Sequence, residues 1–484
     1  MEKNLLKIPV VIDLDNTLTS VDTLFEAVII LIKHKLVNII LMIWWLTKGK
    51  LYFKSKLIDH VQVDPKKIPY NNEVISFIKE SRSQGRKIIL CSGAHVNQVK
   101  LIADHLNLFD SYYGSDSNTN LSGKNKSEFL VEKYGKGNFD YVGDSHVDLH
   151  VWNNCRTIYS VYLKNKTKRK LLNSIRKNQD YIELISQNSL LNELSIIIRT
   201  IRAHQWIKNI LLFVPIFLSQ LYNFSSVISV LLAFLCFSLL ASSIYIVNDI
   251  FDLSNDRSHP TKKNRSIASG KISIVFASII AISLFVISTS LSFFLLSLNV
   301  LSVLLIYFVV NLLYTFYLKS LFLLDVVMLS SFYVLRIYVG GLASGVEVST
   351  WLILCSFAFF LFLAMIKRLT EIILKEKETS ITDIRAYSSN DSKLLKLGII
   401  VTSITSLILF AGYLQTDKVY ELYHNPKLLL LIIPIVCYWQ LRIFLSTLKG
   451  KMHDDPILFV AKDLQSWACV IISSIIVIYQ MQIW

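Results

Sequence analysis

Residues 226–256 read SVISVLLAFLCFSLLASSIYIVNDIFDLSND. The run 226–247 carries no charge. At about 1.5 Å per helical residue it is long enough to cross a hydrocarbon core about 30 Å thick. It then runs into Asn248, Asp249, Asp252 and Asp256. Positions 248, 252 and 256 recur every four residues, so a continuous helix presents all three on one face. Asp249 lies about 100° away around such a helix. Three converging oxygen-bearing side chains at a membrane surface are costly without a cation. The stretch therefore predicts a spanning helix that carries a metal-binding face to one side of a bilayer.

Working outward, apolar runs of similar length recur from about residue 207 to the end. Nine candidate spans result: 207–225, 226–247, 272–293, 295–312, 321–339, 350–366, 397–414, 428–445 and 465–484. Of the 484 residues, 53% are hydrophobic, but residues 1 to about 190 mix charge and apolar character as a soluble α/β protein does. The net charge of +15 fits basic cytoplasmic loops and anionic headgroups. No nucleic-acid motif accompanies it, so no nucleic-acid partner is expected. Six cysteines lie far apart with no CxxC pair, against a disulfide framework or a zinc site. The N-terminus has only a short apolar run before its first motif, so no cleavable signal peptide is expected.

Charge sets the orientation. With a cytosolic N-terminus, the loops at 248–271, 313–320, 367–396 and 446–464 are cytosolic and carry five, one, seven and three Lys plus Arg. The opposite loops hold only Lys418 and Lys427. Positive charge stays inside, so every polar motif is expected on, or next to, the cytosolic side.

Before the spans, four buried-type strands are separated by helical stretches: PVVIDLD (9–15), KIILCSG (87–93), FDYVGDS (139–145) and TIYSVYL (157–163). This is the layout of a parallel α/β sheet with ligands at the strands' carboxyl ends. Residues 24–70 interrupt it as a helical cap. Within them AVIILIKHKLVNIILMIWW (27–45) reads as two cap helices rather than a span, because Lys33, His34 and Lys35 break it. Trp44 and Trp45 also suit a membrane interface. Residues 166–195 read as a basic linker.

Asp13 and Asp15 end the first strand, pointing the same way in extended chain. One can attack phosphorus while the other carries a proton. Asp144 and Asp148 end the third strand and are hard oxygen donors that suit Mg²⁺. Ser92 ends the second strand and can donate to a phosphate oxygen. Lys126 can neutralise phosphate charge. Lys124 is its rival, but a helix, SEFLVEKYG (127–135), starts just after Lys126. Asp-rich strand ends are often ordinary turn residues; the ordered set DxDxT, Ser, Lys, GDxxxD argues otherwise.

That set resembles the haloacid dehalogenase (HAD) phosphatase superfamily. The resemblance implies a Rossmann-like α/β domain over residues 1–165, with Asp13 as nucleophile and Asp15 as general acid/base. Thr17 and Ser92 would position phosphate and Lys126 would neutralise it. Asp13, Asp15, Asp144 and Asp148 would surround one Mg²⁺.

The second motif continues into His259-Pro260-Thr261-Lys262-Lys263-Asn264-Arg265-Ser266 and Ala268-Ser269-Gly270. Acids followed by bases suit a Mg²⁺–pyrophosphate unit. Further polar groups recur at the same face: Arg202, Lys208 and Asn209 open the first span, Tyr314 and Lys319 end the fourth, Asp325 and Arg336 lie on the fifth, and Lys367 and Arg368 end the sixth. Singly, most read as solvated or snorkelling flanks. Arg336, deep in an apolar run, resists that reading.

NDxxDxxxD with HPxKxxR and ASG resembles the UbiA-type prenyltransferase superfamily over residues 196–484, which implies an all-α polytopic membrane domain of nine helices. Within it, R-x-x-Q-W-x-K-N (202–209) and Tyr314…Lys319…Asp325 resemble decaprenyl-phosphate phosphoribosyltransferases. Ser266 departs from a usual Pro. Lys319 and the single acid Asp325 stand where relatives acting on aromatic acceptors carry a second Asp-rich motif. The resemblance thus implies a bifunctional enzyme of the bacterial cytoplasmic (inner) membrane, with both sites facing the cytosol. It would move 5-phosphoribosyl from phosphoribosyl pyrophosphate to polyprenyl phosphate. The HAD domain would then remove the 5-phosphate, giving polyprenyl-phosphoryl-ribose for cell-envelope glycan synthesis. Asn248, Asp252 and Asp256 would hold one or more Mg²⁺, Asp249 would be catalytic, and Lys262, Arg265 and the polar groups above would bind substrate. The alternatives are aromatic prenyl transfer, a phosphatase acting on another phosphate ester such as a soluble sugar phosphate, and a lipid or solute transporter. A homo-oligomer is compatible with this reading.

Overall fold

The structure, a computed structural model, describes residues 8–176, 179–186, 190–220, 222–377, 387–452 and 456–481. Parts of two expected features, 378–386 of the basic loop 367–396 and 482–484 of the last span, lie outside the described residues. The chain divides into two compact units: Met1–Thr200 with Asp249–Ser278, and Ile201–Asn248 with Ile279–Trp484.

The first unit is built on six parallel strands: β1 (Val10–Ile12), β2 (Ile88–His95), β3 (Ser111–Ser115), β4 (Asp140–Gly143), β5 (Thr157–Val161) and β6 (Asp180–Ile185). Their order is β3-β2-β1-β4-β5-β6. Val11 pairs with Ile89 on one side and Tyr141 on the other, so β1 is central. Val10 and Ile12 join the core on one face of the sheet and Val11 that on the other. A strand buried on both faces reads as continuous hydrophobics, as VVI does. The chain reverses its winding between β1 and β4, where such sheets bind ligands.

The four expected strands are present, and two were not expected. The sixth corrects the linker: residues 166–195 hold all but the first residue of helix Asn165–Ser174, and β6, which pairs along β5. Six Lys and Arg give 166–195 its basic composition, while DYIELI is only partly buried, as an edge strand is. Between β1 and β2 the chain inserts α1 (Thr23–His34), α2 (Asn38–Thr47) and α3 (Lys50–His60). The 27–45 run divides between α1 and α2 at Lys35, whose backbone is extended.

Residues 249–278 pack on this sheet unit. Arg257 reaches both oxygens of Glu26 on α1, at 2.7 and 2.5 Å, and donates to the backbone oxygens of Lys67 and Ala268. Gly270 takes φ +76° against Ser20, whose Cβ would stand 2.7 Å from an added Cβ, so only glycine fits.

Wholly or mostly in the second unit, seven helices are long and apolar enough to cross a membrane among the described residues: Phe224–Phe251, Ile274–Leu295, Leu298–Phe316, Leu324–Ser344, Thr350–Leu374, Ser392–Tyr413 and Pro426–Leu448. The expected count of nine is not reached. The predicted span 207–225 is instead a tight-turned segment, Ala203–Phe213, followed by the short helix Val214–Ser219. Arg202 and Gln220 bound it in left-handed conformation. Side chains also pin it: Trp206 donates to Ser242 at 3.0 Å and Asn209 to Ser238 at 2.9 Å. A Cβ on Gly340 would lie 2.0 Å from the Leu212 carbonyl oxygen, so the segment lies directly on helix Leu324–Ser344. The ninth candidate is Leu464–Gln480, of 17 residues, a little short of a full span by length.

Candidate active sites

The first site forms where β1 ends. The turn Leu14–Leu18 follows, with Asn16 in left-handed conformation, φ +56°, which asparagine tolerates. It aims Asp13 and Asp15 into a cleft also lined by Ser92, Lys126, Asp144 and Asp148. Lys126 donates to Asp13 Oδ1 at 2.8 Å and to Tyr141 Oη at 2.9 Å, and Tyr141 in turn donates to Asp148 at 2.7 Å. Ligand atoms of Asp13, Asp144 and Asp148 all lie within 4.8 Å of one another. The remaining oxygen of Asp148 accepts from Ser145 N and Oγ, both at 3.0 Å. Thr17 donates to Asp144 at 3.4 Å, and Ser92 Oγ, buried, accepts from Ala94 N.

Asp15 is outside that triad. Its Oδ1 accepts from both N and Oγ1 of Thr23, each at 2.8 Å. Burial, with the charge of Asp22, pushes Asp15 up to about 7. Burial likewise pushes Asp13 up to about 7 against the pull of Lys126, with Asp148 adding to the rise. Asp144 is raised by burial and by Asp148 and Asp13. Burial alone would lower Lys126, but Asp13 and Asp148 raise it above its ordinary value. Carboxylates this close and dry repel each other, and an oxygen-only donor set fits a hard divalent cation such as Mg²⁺.

Lys54 was not anticipated. It is buried on α3, lines the same cleft and donates to Gly93 O at 2.6 Å. Its signal was the Lys50/Lys54 pair at helical spacing, both residues lining the cleft.

The second acidic motif differs from one continuous helix face. The spanning helix ends at Phe251, and Asp252 stands between it and a separate helix, Leu253–Ser258, so the period resets. Arg265 joins two acids of the motif, donating to Asp249 at 3.1 Å and Asp256 at 2.6 Å. Burial raises Asp256, and Arg265 opposes that rise. Lys262 sits on the turn Lys262–Asn264, half-buried.

Within the membrane unit, the predicted polar groups form two clusters. Arg336, 3% exposed, donates to Asn209 Oδ1 at 2.8 Å, Tyr307 Oη at 3.0 Å and Phe332 O at 2.5 Å. Arg368 pairs with Asp325 and Glu371, each at 2.6 Å, and donates to Tyr314 Oη at 3.3 Å. Tyr307 and Glu371 were not anticipated; Glu371 is three residues from Arg368, on the same helix face. The Arg202 guanidinium lies 5.7 Å from the Tyr245 ring centroid. Lys208, Lys319 and Lys367 are half-buried, on Ala203–Phe213, Leu318–Ser320 and Thr350–Lys377.

The Arg257–Glu26 pair carries a stability prediction. Both side chains are under 10% exposed, at 8% and 5%. Arg257→Met leaves a buried carboxylate uncompensated, with an expected cost of about 3–5 kcal/mol. Hydrogen exchange over residues 249–278 should accelerate accordingly. Adding Glu26→Gln should restore most of the protection, as expected when two residues act as one pair. Unchanged exchange in the single variant would refute the pairing.

Residues 210–450, about half of the chain, match the UbiA prenyltransferase family. A relative from Sinorhizobium fredii, the uncharacterized protein y4nM, is 33% identical over 95% of this chain and 89% of its own length. The decaprenyl-phosphate phosphoribosyltransferase of Corynebacterium glutamicum is 37% identical over 37% of this chain and 55% of its own length. Among solved structures, a UbiA homolog from Archaeoglobus fulgidus, bound to GPP and Mg²⁺, is a distant likeness. It has 16% identity and a TM-score of 0.44, covering 59% of this chain and 97% of that one.

Proposed function

We propose a bifunctional activity from one premise: through its C-terminal half, the chain belongs to the UbiA prenyltransferase family. The proposed first step transfers 5-phosphoribosyl from phosphoribosyl pyrophosphate to polyprenyl phosphate. A phosphate oxygen of the lipid bonds to the anomeric carbon, and pyrophosphate leaves. Asn248, Asp252 and Asp256 are the proposed holders of Mg²⁺, which would neutralise charge on the leaving group. Lys262 and Arg265 supply further positive charge there. The relative from C. glutamicum, whose name states transfer of a phosphoribosyl group to decaprenyl phosphate, supports the choice of acceptor and transferred group.

The proposed second step removes the 5-phosphate. Asp13 attacks phosphorus while Asp15 gives a proton to the departing ribose oxygen. Water then attacks the aspartyl-phosphate, and Asp15 takes its proton. Mg²⁺ held by Asp13, Asp144 and Asp148 would supply charge neutralisation on the phosphate. Lys126 keeps Asp13 oriented, and burial gives Asp15 a proton affinity near neutrality. The product, polyprenyl-phosphoryl-ribose, would feed cell-envelope glycan synthesis.

The observation that best supports joining the steps is the packing of the acidic stretch 249–278 on the phosphatase-like sheet unit. The test uses the full chain in nanodiscs with polyprenyl phosphate and ribose-labelled phosphoribosyl pyrophosphate. Labelled lipid should form first as the 5-phosphate, followed by release of inorganic phosphate. Absence of labelled lipid sinks the transfer. Label passing from a prenyl diphosphate to an aromatic acceptor would favour the other chemistry of the family.

A further inference from the structure

Helix α2 presents apolar side chains almost all round. Ile40, Ile43, Trp44 and Leu46 are 68, 59, 50 and 54% exposed, and only Met42 and Trp45 are buried. So large a contiguous apolar surface marks a place of interaction.

Three observations identify what covers it. First, the chain enters this unit at Asp249 directly from the spanning helix Phe224–Phe251. Lys33, near the end of α1 and five residues before α2, lies 3.8 Å from Asp252. The acid that pairs with Lys33 is thus the residue directly after that spanning helix, and α2 begins five residues beyond Lys33. Second, bases flank α2 on both sides: Lys33, His34 and Lys35 before it, Lys48 and Lys50 after it. Lys48 Nζ stands 3.8 Å from the Trp44 ring centroid, so tryptophan and lysine share one edge, as side chains do at headgroup level. Third, ten residues make a helix only about 15 Å long, too short to cross a core of about 30 Å.

We propose that α2 lies flat in the interface of an anionic bilayer and docks the mouth of the Asp13 cleft on the lipid surface. Lys50 and Lys54, on the helix that follows, line that cleft. A lipid-borne phosphate can then enter from the headgroup layer without leaving the membrane. The choice of a lipid-borne substrate rests on the phosphatase reading above; the docking does not.

The full chain is placed, one copy per disc, in nanodiscs of phosphatidylcholine and phosphatidylglycerol, with or without brominated acyl chains. The fluorescence difference between wild type and Trp44→Phe isolates Trp44. Brominated chains should quench that difference about twofold or more, as for a side chain at the headgroup–acyl boundary. The triple variant Ile40→Asn/Ile43→Asn/Trp44→Ser should hydrolyse p-nitrophenyl phosphate within about twofold of wild type. Its turnover of lipid-borne 5-phosphate should fall about tenfold, separating access from chemistry. An unquenched Trp44 overturns the docking, and concentration-dependent cross-linking of α2 in detergent would then assign the face to a second copy. Equal loss on both substrates overturns the lipid-access role. Wild type active only on the soluble ester removes the lipid substrate, while quenching still decides the docking.

Discussion

Asp13→Asn should lower phosphate release about a thousandfold or more, the usual scale for loss of a covalent nucleophile. Asparagine keeps the shape of the side chain and can accept the Lys126 hydrogen bond made at 2.8 Å. It offers no carboxylate to attack phosphorus. The variant should therefore fold, continue to transfer label to lipid, and accumulate the lipid-linked 5-phosphate. Lys126→Met is the informative partner. It leaves Asp13, Asp144 and Asp148 crowded with less positive charge, so it should weaken activity and also lower stability. Thin-layer separation of the two labelled lipids reads the first variant directly. If Asp13→Asn left the ratio of phosphorylated to dephosphorylated lipid at its wild-type value, the phosphatase assignment of this cleft would fail.

The cleft was legible because its residues end strands that sequence reveals easily. VVI, IILC and DYVG are buried runs, and Asp13, Ser92 and Asp144 stand directly after them in turn. The two edge strands were harder. SYYGS and DYIELI are only partly buried and carry polar residues, so their apolar signal is diluted. The same limit applies to partners distant in sequence. Glu26 is a lone buried acid in the apolar helix TLFEAVIILIKH, which signals a buried cation, but Arg257 lies 231 positions away. Spacing fails where a helix breaks. The i, i+4, i+8 pattern assumes one continuous helix through Asp252, yet the chain starts a new helix there. Asp249 and Asp256, seven apart, meet at Arg265 instead. In the membrane unit, the apolar length of 207–225 outweighed two contrary signs in the sequence, Pro215 and the anchored polar pair Trp206 and Asn209.

Asp256→Asn tests the second acidic site and should reduce label transfer to lipid about a hundredfold or more. Hydrolysis of p-nitrophenyl phosphate at the Asp13 cleft should stay within about twofold, since the two chemistries draw on different residues. The ambiguity to resolve is what Asp256 is for. It is buried, and Arg265 lies 2.6 Å away, so one role is simply to hold that arginine. The other is to share a cation with the leaving pyrophosphate. The roles differ in the double variant Asp256→Asn/Arg265→Gln. If the acid serves only the arginine, removing both ends of the pair relieves the uncompensated charge, and transfer returns toward the Arg265→Gln level. If the acid is a cation ligand, the double variant stays as inactive as Asp256→Asn, and added Mg²⁺ partly rescues the single variant by mass action. Recovery in the double variant, with no response to Mg²⁺, would assign the acids to positioning Arg265 and sink the metal-ligand role.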